Sequence, residues 1–293
     1  MFFLDPKNDV AFKKIFGDEG RKHLTISALN DFLEKEEGEL IEDITFLDTA
    51  NLPDFIDGKK SFVDVRCFDQ AGNNYIIEMQ IVNEFNFLKR SQYYVACCLA
   101  RQLARKGKYK ELVPVVFIGV VCHDLFNEKN NEIPEDMISH HVTTSTKTGK
   151  SRLNLAEYHF VELKKFNKDL DELETGTDKL LYFLKNADTF ENVPAQLQDD
   201  ENITEAFHVL ERSRWLDLEF QDYIRKQEEI DKELRQEEGF KEEGRQVGLQ
   251  EGRQKEKETI AMNLLKSNIN LTIIAQSTGL SIEHIELLKQ RLK

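Results

Sequence analysis

Apolar and polar positions alternate most plainly between Ser61 and Val82, where SFVDVRCFD and NNYIIEMQIV flank a QAG turn. Two arms rich in β-branched and aromatic residues around such a turn predict a hairpin. A three-residue loop, Gln70-Ala71-Gly72, suits a connection that closes on a left-handed residue, where glycine meets no steric penalty. The register follows: Asp69 faces Asn73, and counting back along both arms sets Asp64 opposite Glu78. Because side chains alternate across a strand, Phe62, Asp64, Arg66, Ile76, Glu78, Gln80 and Val82 share one face. Val63, Val65, Cys67, Ile77, Met79 and Ile81 share the other, which is plain core.

Around this hairpin the pattern changes period. Asn8 to Phe16 reads as a helix capped by Asn8, with Val10, Phe12, Ile15 and Phe16 on one stripe and Asp9 and Lys13 four apart as a surface pair. A second helix covers about Lys22 to Leu33, Ile41 to Thr49 reads as a strand, and Asn51 to Lys60 as a loop in which Pro53-Asp54 is only a turn. After the hairpin, Asn86 to Lys106 is a helix stopped by Gly107, and VPVVFIGVVC at Val113 to Cys122 is a strand buried on both faces. Further strands are expected at Ile138 to Thr146 and Tyr158 to Leu163, then helices at about Lys179 to Asn186 and Glu201 to Leu210. Helix, three strands, helix, strand is an α/β order with a mixed sheet.

From about Arg212 to Lys257 the chain is almost continuously charged, with Gly239, Gly244, Gly248 and Gly252 set into it. Each glycine inside a helix costs about 1 kcal/mol relative to alanine, which favours a frayed helical linker over a lone rod. The last three glycines, four apart, are also suited to a close approach of two helices. The terminal stretch IAQSTGLSIEHIELL reads as helix, turn at Thr278-Gly279, Ser281 cap, helix. Ala275, Gly279 and Ile285 fall at helix-turn-helix spacings, but Glu283 and Glu286 stand where contact with nucleic acid wants cations or amides. An associating helical hairpin is the plainer reading.

Composition narrows the class. With 293 residues, 40% hydrophobic and 32% charged, the chain supports a main folded domain with an appendage. No apolar run approaches the roughly twenty residues a bilayer needs, and MFFLDPKND has neither a basic region nor a cleavable apolar segment, so no membrane and a cytoplasmic location are expected. Cys67, Cys97, Cys98 and Cys122 lack CxxC spacing and sit in apolar runs, as buried thiols do. A net charge of −14 argues against coating nucleic acid with the whole surface. Yet Lys89, Arg90, Arg101, Arg105, Lys106, Lys108 and Lys110 occur between Asn86 and Lys110 with no acid among them, either a local phosphate-binding face or a solvated helix.

Asp64 opposite Glu78 is the arrangement with chemical content. Two carboxylates facing each other on a half-apolar surface repel and lose hydration, so they need a proton or a cation, and a divalent metal would supply it. The alternative is a wet face on which Arg66 neutralises one acid. His123, His140 and His141 invite a metal assignment, but histidines at strand ends are more often hydrogen-bonded or exposed.

Asn8-Asp9-Val10-Ala11-Phe12-Lys13, then Asp64, Glu78-Met79-Gln80 and Arg90-Ser91-Gln92-Tyr93-Tyr94, in this order, resemble the PD-(D/E)XK nuclease family transposases, including recombination-promoting nucleases. The resemblance covers roughly the first two thirds of the chain. It implies a restriction-endonuclease-like core of helix, three strands, helix and strand, with a helical C-terminal extension. It further implies a nuclease-like domain at 1–190, a helical extension at 191–235, a glycine-punctuated linker at 236–258 and a helical hairpin at 259–293. By the same resemblance Asp64 and Glu78 bind Mg²⁺ or a similar divalent ion, Asp9 supplies an additional acid, and Gln80 stands where most such enzymes have lysine. Lys13 and Arg90 are the candidates to replace that lysine's charge. The expected activity is metal-dependent DNA hydrolysis, with Arg90, Tyr94, Lys13, Lys89 and Arg101 toward DNA. A binding or assembly module without chemistry, an RNase and a strand-transferring transposase are the rivals. An apolar hairpin on a charged stalk also suggests a homodimer through residues beyond about Glu228.

Overall fold

The computed structural model describes residues 3–47, 63–103, 108–126 and 136–291. The chain runs through α1 (Asp9–Phe16), α2 (Lys22–Phe32), β1 (Ile44–Phe46), β2 (Val65–Asp69), β3 (Asn74–Gln80), α3 (Phe87–Gln102) and β4 (Val115–Val121). It continues through β5 (Ile138–Thr144), β6 (Ser151–Glu162), α4 (Gly176–Asn186), α5 (Glu201–Val209), α6 (Asp217–Lys266), α7 (Leu271–Thr278) and α8 (Ile282–Arg291). The six strands form one mixed sheet in the order β1-β2-β3-β4-β6-β5. β4 lies parallel to both β3 and β6, while the outer pairs are antiparallel. A parallel β3–β4 pair needs a crossover, and α3 provides it.

Strand β4 is buried at all seven positions because both of its faces are covered. Val116, Ile118 and Val120 enter the core shared with Phe12, Leu29, Phe183 and Phe207 on α1, α2, α4 and α5. Val115, Phe117 and Val121 enter a second core with Phe87, Val95 and Cys98 on α3. The sheet therefore has helices on both sides, and residues on β3 choose between them by parity: Ile77 and Met79 join the first core, Ile76 the second.

The hairpin has the expected register, with Val65 opposite Ile77, Arg66 opposite Ile76, Cys67 opposite Tyr75 and Phe68 opposite Asn74. Gly72 closes the loop at φ +87°. The Asp69 carboxylate accepts from the amides of Ala71 and Asn73, each at 2.9 Å, and from the Tyr75 hydroxyl at 2.9 Å. One position departs from the pattern. Regular pairing begins at Val65, the chain bends at Asp64, and Val63 packs with Ile76 and Phe87 in the α3-side core instead of joining Val65. Phe62, Pro53 and Asp54 lie outside the described residues, as do Arg105, Lys106 and Gly107.

Other elements differ in extent. Among the described residues β1 covers Ile44–Phe46 of the strand expected from Ile41 to Thr49, the last two of which lie outside them, whereas β6 begins at Ser151, seven residues before the expected Tyr158. The added half of β6 is exposed from Ser151 to Asn154 and half-buried from Leu155 to Glu157, and it pairs with β5, so ladder hydrogen bonds hold it without a continuous apolar run. Asp9 and Lys13 do not pair with each other: Lys226 takes Asp9 at 3.1 Å and Asp64 takes Lys13 at 3.0 Å. The charged stretch is one unbroken 50-residue helix, α6, where a frayed linker was expected. Pairs three and four apart, such as Lys241 with Glu237 at 2.5 Å and Arg245 with Glu242 at 2.7 Å, offset part of the glycine penalty. Among the described residues no helix is long and apolar enough to cross a membrane.

Two compact units divide at 231/232. In the second, α7 ends on Gly279 at φ +71°, Ser281 accepts from the His284 amide at 3.2 Å, and Ala261, Ile274, Leu280, Ile285 and Leu288 form a small core. The predicted helix, turn and capped helix are therefore present.

Candidate active site and a second polar cluster

Asp64 and Glu78 meet at the bent end of the hairpin, 9% and 6% exposed. The Asp64 amide donates to Glu78 Oε2 at 3.3 Å, and the Met79 amide donates to Asp64 Oδ2 at 2.8 Å. Each acid thus grips the backbone of the other's strand. Two helices bring cations to the free oxygens: Lys13 Nζ of α1 lies 3.0 Å from Asp64 Oδ1, and Arg90 Nη2 of α3 lies 3.2 Å from Glu78 Oε1. Arg90 also donates to Gln80 Oε1 at 2.6 Å and pairs with Glu84, while its guanidinium carbon sits 5.5 Å from the Phe87 ring centre and 6.0 Å from that of Tyr94. Gln80 is oriented at its other end by donating to the Val82 carbonyl at 2.9 Å.

The electrostatics follow from burial and crowding. Burial, then the Asp64 carboxylate, pushes the Glu78 carboxyl well above the usual range, with Arg90 acting against them. Burial also raises Asp64, Lys13 opposes it, and Asp9 adds to it. Tyr94 is pushed up to about 12 by burial and by Glu78, so its hydroxyl keeps its proton at neutral pH. Two acids that both resist ionisation beside two cations leave a demand for further positive charge, and their hard oxygen donors suit Mg²⁺. The residues present fit such an ion, Asp64 and Glu78 being the ones that would hold it.

The structure therefore brings Asp64, Glu78, Gln80, Arg90, Lys13 and Tyr94 together. Asp9 acts on Asp64 through space but its own carboxylate is paired with Lys226. Lys226, distant in sequence on α6, carried no local signal. Lys89 and Arg101 stand apart: Lys89 is exposed over the Phe85 ring at 6.0 Å, and Arg101, eleven residues beyond Arg90, is about 16 Å further along α3. Arg66 turns to the Cys98 thiol of α3, and among the described residues no ion pair joins it to either acid. The wet, Arg66-neutralised alternative is not what the structure shows.

A second cluster lies on β5 and β6. His140 and His159 are cross-strand partners with rings stacked 4.2 Å apart at 14°, and His140 Nε2 lies 3.5 Å from Glu157 Oε2. One donor atom from each of the three residues falls within 4.8 Å of the others, a set with the chemistry to coordinate a divalent metal. His159 is lowered to about 3, chiefly by burial and next by His140, and is neutral. Starting the strand at Tyr158 hid this group. Its available signal was the Glu-Tyr-His spacing, which places Glu157 and His159 on one face once the strand extends past them.

An α/β core with paired acids, one on β3 and one just before β2, and cations on the helices that flank them is nuclease-like in general terms. The profile of the PD-(D/E)XK nuclease family transposases matches residues 6–238, and the chain belongs to that family. Comparison with curated proteins and with solved structures gives no match. Membership carries a nuclease-type function with DNA as the general partner class, and most of the second unit lies beyond the matched residues.

Proposed function

We propose that the protein is a Mg²⁺-dependent DNA endonuclease of the transposase and recombination-promoting type, acting by phosphodiester hydrolysis. The observation that carries this reading is the mutual grip of Asp64 and Glu78, two buried acids joined through each other's backbone with Gln80 beside them. Asp64 and Glu78 would hold a divalent ion, which would supply Lewis-acid charge to a phosphate and lower the pKa of water. Gln80 would orient the attacking water by hydrogen bonding. The Arg90 guanidinium, stiffened between Phe87 and Tyr94, has one amino group within reach of Glu78 and Gln80 and offers it to the scissile phosphate. Lys13 supports the charge from the opposite side, standing with Arg90 in place of the missing lysine. Lys89, exposed beside Arg90, and Arg101, displaced along α3, follow the duplex backbone on either side of the scissile bond. The division at 1–190, 191–235, 236–258 and 259–293, and a homodimer through the C-terminal helices, belong to the same proposal.

The test incubates purified full-length protein with supercoiled plasmid, linear duplex, single-stranded DNA and RNA, with Mg²⁺ and with chelator. Cleavage of DNA that chelator abolishes is the expected result. DNA retention without cleavage at any Mg²⁺ concentration would replace the enzyme with a binding module, the reading that the ion pairs of Lys13 and Arg90 favour. RNA cut in preference to DNA would reassign the substrate.

Arg90→Ala removes the donor shared by Glu78 and Gln80. The expected outcome is a cleavage rate lower by about 10–100-fold, the range for residues supporting an ion's ligands, measured as single-turnover kinetics on saturating duplex. A rate within twofold of the parent would remove Arg90 from the site.

A further inference from the structure

We propose that His140, Glu157 and His159 form a second metal site, selective for a borderline ion of the Zn²⁺ class and distinct from the acids of the hairpin. The proposal does not depend on the nuclease reading. β5 and β6 pair antiparallel with His140 directly across from His159, and Glu157 stands two residues before His159 on the same strand, so all three side chains leave one face. His141 leaves the other face, packing against Phe126 with ring centres 4.9 Å apart and planes tilted by 33°, and takes no part. Zinc bonds of about 2.0–2.2 Å to imidazole nitrogen and carboxylate oxygen set donors around one tetrahedral ion roughly 3.3 Å apart. His140 Nε2 and Glu157 Oε2 already stand at 3.5 Å, and the full set closes from within 4.8 Å by side-chain rotation.

Donor type and exposure point the same way. Imidazole donors favour zinc-class ions over Mg²⁺, which prefers oxygen. His159 is buried, whereas half-exposed His140 and partly buried Glu157 leave an entry for the ion and an open position for water. Lys35, the cation acting on His159, opposes an ion, and the Glu157 carboxylate offsets it.

The two sites cannot share an ion. Glu78 is paired in register with Gly119 beneath α3, whereas His159 is paired with Ile118, whose side chain enters the core on the opposite side of the sheet. An ion at His140, Glu157 and His159 would therefore staple the outermost strand β5 to β6, closing a sheet edge that side-chain packing leaves exposed.

The test titrates chelator-stripped full-length protein with Co²⁺, whose visible absorption reports tetrahedral nitrogen and oxygen ligation, followed by competition with Zn²⁺. Wild type, His140→Ala, Glu157→Gln and Glu78→Gln are compared, each checked by circular dichroism. The proposal expects one equivalent with tetrahedral absorption in wild type and in Glu78→Gln, with affinity for that equivalent at least about tenfold weaker in folded His140→Ala and Glu157→Gln. No uptake by wild type, or His140→Ala binding as tightly as wild type, would overturn it. Since binding is read without a cleavage assay, failure here leaves the nuclease proposal standing, and the converse holds.

Discussion

Glu78→Gln is expected to lower Mg²⁺-dependent DNA cleavage by more than about 100-fold, beyond the 10–100-fold that residues behind a metal's ligands are worth. The same change should make the metal-free protein more stable at neutral pH. The sign comes from the raised Glu78 carboxyl. Between the ordinary glutamate range and that raised value, the folded protein holds a proton the unfolded chain has released, so stability falls as pH rises through the interval. Glutamine has no proton to lose and escapes the fall. Mg²⁺ should then raise the melting temperature of wild type, by binding the folded state, while leaving Glu78→Gln unmoved. Thermal melts at pH 5 and 8, with and without Mg²⁺, check all of this against plasmid cleavage. Retained cleavage in a variant whose melting no longer responds to Mg²⁺ would detach catalysis from this acid.

Gly119→Val should destabilise the protein by about 1–3 kcal/mol, near the upper end, and lower cleavage as well. A Cβ at Gly119 would lie 2.9 Å from Phe87 Cζ, 3.0 Å from Phe117 Cε1 and 3.0 Å from Phe160 Cδ1. All three rings belong to the core beneath α3, so the new atoms have nowhere to go except against the start of that helix. Replacing a strand glycine ordinarily gains roughly 0.5–1 kcal/mol, which overpacking of this kind exceeds. Displacing Phe87 also carries away Arg90, one turn on, from Gln80 and Glu78. Gly119→Ala should show the same direction with a smaller loss. Urea unfolding gives the stability and single-turnover cleavage the activity; a valine variant as stable as the parent would mean that the rings repack freely.

The hairpin register could be read because the loop carries its own instructions: Gly72 takes the left-handed position and Asp69 ties the turn to Ala71, Asn73 and Tyr75. β4 was legible as a doubly buried strand because an unbroken β-branched run has no polar face to offer water. What escaped was set by contacts between residues distant in sequence or by ladder bonds. Lys226 claims Asp9 from more than two hundred positions away, leaving Lys13 for Asp64, although a spacing of four suggested a local pair. Ser151 to Leu155 pairs as strand despite its polarity, and that misplaced boundary concealed Glu157 beside His159. Val63 crossed to the other core because alternation holds only inside the ladder, and the ladder starts two residues later.

That late start has a mechanical consequence. Asp64 lies one step past the last paired residue, and the Met79 amide and the Lys13 ammonium, not a run of inter-strand bonds, hold its carboxylate. Moving the acid toward a ligand gives up the Met79 hydrogen bond, worth about 1 kcal/mol, and the Lys13 pair, but no ladder bond of the zipped part of the hairpin. Adjustment at the tip and rigidity at the base are thus separable properties of one ribbon.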